Sequence, residues 1–120
     1  MNAKNTEKLM KDFPTLFKPD PALKANLMAF GFECGDGWFN IIYTLCEKLI
    51  ELKFDGQVVQ VKEKFGGLRF YISGGPEAVY DAIEEAEQRS LETCETCGKP
   101  GRPNTKGWIS TLCDECRKTR

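Results

Sequence analysis

The sequence predicts an α+β fold, with helices packed on a β-hairpin or small antiparallel sheet and a small cysteine-rich module behind them. Three observations carry this prediction. Apolar residues recur at helical spacing up to residue 54 and again after residue 76. Between those stretches the period switches to two across QVVQVKEKF, GG and LRFYIS. Finally, two C-x-x-C pairs lie fifteen residues apart between Cys94 and Cys116. The expected division is a body over 1–92 and a module over 93–120.

Taken in order, NTEKLMKD suggests a short helix over about 5–12, ended near Pro14. The stretch DPALKANLMAFG suggests a helix over 21–30, with Asp20 as N-cap, Pro21 at the first helical position and Gly31 just beyond the end. A third and longest helix is expected over about 36–54. Asp36 is its candidate cap, and Trp38, Ile42, Leu45, Leu49 and Leu52 fall on one face beside Ile41 and Cys46.

The hairpin is expected over 57–73 with Gly66-Gly67 as its two-residue loop. Counting outward pairs Phe65 with Leu68, Lys64 with Arg69, Glu63 with Phe70, Lys62 with Tyr71 and Val61 with Ile72. A last helix is expected over 76–92, opened by Pro76. It carries Glu77, Asp81, Glu84 and Glu85 in the half where the helix dipole favours anions, and turns Val79, Ala82, Ile83, Ala86 and Leu91 inward.

Composition bounds the class. With 41% hydrophobic and 29% charged residues, the chain has the balance of a globular domain. No apolar run approaches the roughly 18 residues of a transmembrane helix, and MNAKNTEKLMKDF lacks the apolar stretch of a signal peptide. A cytosolic setting and reduced thiols are therefore expected, with no membrane partner. Residues 1–97 hold 11 Lys/Arg against 16 Asp/Glu, a net −5, whereas 98–120 hold 6 against 2, a net +4. There is no histidine, which removes the commonest general base and the usual ligand of catalytic zinc.

Each C-x-x-C can wrap two thiolates round one ion, so Cys94, Cys97, Cys113 and Cys116 are the candidate metal ligands. Four thiolates select Zn²⁺ and leave no open coordination position, which makes the expected zinc structural. An Fe–S cluster on the same thiolates is the lesser metal reading, and two disulfides or free thiols are the competing one. Cys94-Glu-Thr-Cys97-Gly98 reads as a knuckle, Gly98 supplying a positive φ. GWISTL, with Trp108, Ile109 and Leu112, reads as a return strand, and Cys113-Asp-Glu-Cys116 as the first turn of a helix. That order is treble-clef-like rather than ribbon-like. Lys99, Arg102, Lys106, Arg117, Lys118 and Arg120 give the module a basic rim. Arg102, Lys106, Arg117 and Lys118 are candidate nucleic-acid contacts, against the simpler view that they offset a Zn(Cys)₄ centre of net charge −2. Cys34 and Cys46 have no such spacing and are expected in the core.

A second constellation lies on the hairpin. Alternation puts Lys62, Lys64, Arg69 and Tyr71 on one face, and Val59, Val61, Phe65, Leu68, Phe70 and Ile72 on the other. The basic-aromatic face is a candidate grip for a phosphate, a nucleotide-like ligand or an acidic partner; an ordinary solvated sheet face is the alternative. Like charges directly opposite each other are mildly destabilising, and Glu63 on the apolar side needs a partner.

The block VKEKFGGLRFY, followed by an acidic helix and then TCETCGKPG and GWISTLCDEC, resembles short uncharacterised proteins of bacteriophages and prophages over roughly residues 57–116. The resemblance implies a viral, host-cytosolic setting, with which an accessory, host-interaction or counter-defence role is compatible. It singles out the hairpin block and the four cysteines. The expected function is a small, non-enzymatic, zinc-containing binding protein for a host or phage protein or an anionic ligand. The alternative is a nucleic-acid-binding zinc protein that uses its basic C-terminal module.

Overall fold

The computed structural model describes residues 1–17 and 31–119; the helix expected over 21–30, with Asp20 and Pro21, and the tail residue Arg120 lie outside the described residues. The architecture is α+β. Helix α1 (Ala3–Asp12) and the short α2 (Pro14–Phe17) precede strand β1 (Phe32–Glu33), a 3-10 turn at Asp36–Trp38 and helix α3 (Phe39–Glu51). Strands β2 (Val58–Lys64) and β3 (Gly67–Ile72) form the hairpin, and α4 (Glu77–Ser90) follows. The module contributes β4 (Arg102–Pro103), β5 (Thr111–Leu112) and α5 (Asp114–Lys118).

The sheet order is β1-β2-β3. The first pair is parallel, Phe32 beside Val61, and the second is antiparallel. Helix α3 buries Ile41, Ile42, Leu45, Cys46 and Leu49, the face its spacing predicts, and α4 buries Val79, Ile83, Ala86 and Ser90. These meet Val58, Val61, Leu68 and Phe70 of the sheet and Leu9, Phe13, Leu16 and Phe17 of the N-terminal helices in one core. Cys34 and Cys46 belong to that core, where burial pushes both thiols up, Cys34 to about 12. They behave as small apolar side chains.

Local expectations are corrected at several points. The first helix does end at Asp12, before Pro14, but Pro14 also opens the unexpected α2, where its fixed φ suits a first helical position. Asp36 does not cap the long helix, which starts at Phe39. Its carboxylate instead accepts from the Asn2 backbone N–H (2.8 Å) and the Asn5 amide (3.1 Å), pinning the start of α1.

The hairpin turn is Phe65-Gly66 rather than Gly66-Gly67. Val61 pairs with Phe70, Lys62 with Arg69, Glu63 with Leu68 and Lys64 with Gly67. Both turn residues have positive φ, 54° and 81°, as a two-residue I′ hairpin loop requires. Moving the loop by one residue changes every cross-strand partner but keeps Lys62, Lys64, Arg69 and Tyr71 on one face, because pairing shifts in steps of two; before Gln60 an irregularity in the register puts Val58, not the expected Val59, into the core. Phe65, however, leaves the apolar face for the tip of the turn and is 69% exposed. Trp108 and Ile109 also fall outside the return strand, with Trp108 83% exposed.

Candidate metal centre

The module has almost no apolar core of its own. Its buried cluster is Cys94, Leu112 and Cys113, with Cys116 packed against it. One leucine cannot offset the ordering of about two dozen residues, so the cysteines must supply what packing does not.

Their placement follows from local structure. At the knuckle, the Gly98 N–H donates to the Cys94 carbonyl (2.9 Å) and the Cys94 N–H to the Lys99 carbonyl (2.7 Å). Gly98 has φ +83°, the left-handed conformation expected of it. Pairing of Arg102 with Leu112 and Pro103 with Thr111 then returns the chain to the knuckle. Cys113 ends that return and caps α5, its sulfur accepting from the Cys116 N–H at 3.4 Å. The second pair therefore sits on the first turn of a helix with Asp114 and Glu115 early and Arg117 and Lys118 late, the polarity its dipole favours.

All four Sγ atoms lie within 4.8 Å of one another, and Cys97 and Cys113 approach to 3.6 Å. Bonds of about 2.3 Å to a tetrahedral zinc put sulfurs about 3.8 Å apart, so the cluster has the size such an ion needs. None of the four is in a disulfide. Cys94 and Cys113 are buried, Cys116 is half-buried and Cys97 is exposed. Burial would raise the Cys94 thiol, but backbone N–H groups of Cys113, Cys97 and Thr96 turned toward it lower it to about 6. Cys116 moves the other way, to about 12, chiefly through its contact with Cys113 and then through burial. Four soft donors with no fifth group fit zinc in a closed set.

The basic rim is largely engaged. The Arg117 guanidinium donates to the carbonyls of Arg102 and Leu112 (3.0 Å to the latter), tying α5 to the small hairpin. Arg102 pairs with Asp114 at 3.1 Å and Lys99 with Glu115 at 3.8 Å. Lys106 and Lys118 are exposed, and among the described residues neither forms an ion pair.

The module is docked by two features that sequence reading missed. The first is Gly35-Asp36-Gly37-Trp38, of which residues 36–38 are expected to open the third helix. The Gly37 N–H donates to the Glu95 carbonyl (2.7 Å), the Gly35 N–H to the Glu95 carboxylate (2.9 Å) and the buried Trp38 indole to the Thr93 carbonyl (2.9 Å). The second is the hairpin turn. The Thr111 hydroxyl donates to the Gly66 carbonyl (2.6 Å), and the Gly66 N–H to Glu63 (2.7 Å), the partner Glu63 needed. The pairing of glycine with tryptophan in CGDGW was the available signal.

On the hairpin, Lys62, Lys64, Arg69 and Tyr71 do share a face, with Lys62 directly across from Arg69 and Gln60 across from Tyr71. Lys64 and Tyr71 are exposed, while Lys62 and Arg69 are half-buried. Arg69 donates to the Leu68 carbonyl (3.0 Å) and lies near enough to Glu87 to favour its charged form. The four candidate metal ligands are thus brought together, whereas the four rim candidates are not one free surface. No family model, curated protein or solved structure matches the chain. Among the described residues, no helix is long and apolar enough to cross a membrane.

Proposed function

We propose that the protein is a small, non-enzymatic binding protein, folded at its C-terminal end by one structural zinc on Cys94, Cys97, Cys113 and Cys116, in a treble-clef-like arrangement. It recognises an anionic partner or ligand through Lys62, Lys64, Arg69 and Tyr71. The observation that carries this reading is the rigid mounting of that cationic face. Its strands are fixed at the turn by Thr111 and along the free edge by Ser90 and Glu87. Lys62 and Arg69 oppose each other across the strand pair, with Glu33 beside Lys62 on β1 and Glu87 near Arg69, and an added anion bound between the two cations favours them further. A closed thiolate set and the lack of histidine support a binding role over catalysis. The resemblance to bacteriophage proteins supports an accessory role in the host cytosol. The module's own rim is the weaker nucleic-acid candidate, because Arg102 and Arg117 are already engaged.

Native mass spectrometry of full-length protein purified from its host cell under reducing conditions tests both parts. One zinc per chain is expected, together with a bound partner that is lost from the Lys62→Glu, Arg69→Glu double variant. Absence of zinc, or a partner indifferent to those two substitutions, sinks the corresponding half.

A further inference from the structure

A groove of about 450 Å³ opens between the tip of the hairpin and the loop of the metal module, lined by Glu63, Lys64, Phe65, Gly107, Trp108 and Ile109. We propose that this groove is a stacking site for the bases of a single-stranded nucleic acid. This inference rests on the anionic-partner reading above and names the partner's class.

The first support is the placement of Phe65. A bulky residue at positive φ is unfavourable, and the first position of an I′ turn prefers Asn, Asp or Gly. Phe65 accepts that strain without burying its ring. Strain unmatched by packing is a mark of function when it places a side chain at a site. The second support is Trp108, the most exposed of the large apolar side chains described, facing the same groove. The two turns are locked together. Thr111 bonds the Gly66 carbonyl, and a Cβ on Gly66 would lie 2.9 Å from Ile109, so the Phe65 turn and the Ile109 end of the module loop are held against each other.

Charge decides the occupant. The Lys64 ammonium lies 5.6 Å from the Phe65 ring centroid, Lys62 is on the same strand face, and Lys106 is in the Trp108 loop. Glu63, the one carboxylate lining the groove, is turned to the Gly66 N–H, which fixes its place at the turn while Lys64 offsets its charge. Exposed aromatic rings interleaved with cations suit stacked bases and their phosphates. A protein partner fits less well. Lysine is depleted from protein interfaces, and three apolar side chains are far short of the roughly 800 Å² per side that a stable one buries. With no free side-chain amide or hydroxyl lining it, the groove should accept bases with little sequence preference.

Full-length zinc-loaded protein is titrated into fluorescein-labelled 12-nucleotide single strands of mixed sequence, DNA and RNA, and into the matching duplex. Both single strands are expected to bind, the duplex at least tenfold more weakly. With three lysines engaged, the log–log slope of affinity against salt should be about −2. Trp108→Ala and Phe65→Asn should each weaken binding at least about fivefold. Because Asn is the favoured turn residue, Phe65→Asn should melt no lower than the parent, which separates lost contact from lost fold. No single-strand binding at 50 µM protein, or equal binding of the duplex, overturns the proposal. So does binding of an acidic peptide with no oligonucleotide shift. If Phe65→Asn and Trp108→Ala bind normally while Arg69→Ala does not, the hairpin-face reading stands and the groove is refuted.

Discussion

Gly37 shows how one residue without a side chain can join two parts of the molecule. A Cβ built there would sit 2.1 Å from the Cys94 carbonyl oxygen and 2.6 Å from the Glu95 backbone, atoms that cannot swing aside. The close approach is also what lets the Gly37 N–H reach the Glu95 carbonyl. Gly37→Ala should therefore push the knuckle off the body and cost about 1–3 kcal/mol, the usual penalty of overpacking. Urea denaturation measures the loss, and competition with a chromophoric chelator should show weaker zinc retention, since Cys94 itself is displaced. A variant equal to the parent in both would mean that the loop and the knuckle are not in contact. At this scale the sequence was uneven. The cysteines announced themselves by spacing alone, and their four sulfurs do converge. Gly37 and Asp36 were absorbed into a helix that begins three residues later, because their partners, Glu95 and Asn2, are distant in sequence and leave no periodic trace.

Among elements, the hairpin was legible in its faces and illegible in its loop. Alternation sorts side chains by parity, so Lys62, Arg69 and Tyr71 were placed together whichever glycine formed the turn. The choice of Phe65-Gly66 over Gly66-Gly67 is made by contacts with Thr111 and Glu63, one of which comes from the far end of the chain. The free edge of β3 was equally hidden. Its outward N–H groups at Leu68 and Phe70 are taken by the Ser90 hydroxyl (2.9 Å) and the Glu87 carboxylate (3.1 Å), so α4 covers an edge that would otherwise invite pairing. Burial raises the Glu87 carboxyl, opposed by the Phe70 N–H and Arg69, which places it among these contacts rather than in solvent with the other acids of α4. Ser90 is fully buried, so Ser90→Ala should leave the Leu68 N–H without an acceptor and cost about 1–3 kcal/mol. Exposed Gln88→Ala on the same helix should cost less than about 0.5 kcal/mol. Chemical denaturation of the two variants side by side checks the difference. Equal stability would show that the hydroxyl is dispensable to the edge.

For the whole molecule, the two buried clusters differ in what holds them. Among the described residues, the body rests on twenty buried side chains drawn from α1 through α4, whereas the module's cluster is three cysteines and Leu112. Removing the proposed zinc should therefore have a graded effect. Ligand bonds worth about 10–16 kcal/mol in small zinc modules vanish, and residues 93–119 lose their order, while α3 and α4 keep their packing. The boundary between the two outcomes runs through Trp38, whose ring is buried in the body and whose indole N–H donates to Thr93 at the module's edge. In a Trp108→Phe background Trp38 is the sole tryptophan, and its emission reports this junction. A chelator should retain most of the helical circular dichroism, shift Trp38 emission to longer wavelength, and raise amide exchange at Gly35–Trp38 and at Gly66 together. Re-addition of zinc should reverse all three. If Trp38 emission and the Gly66 amide were unmoved while the module lost its order, the metal centre would be a passenger on the body, and the hairpin turn would hold its shape without it.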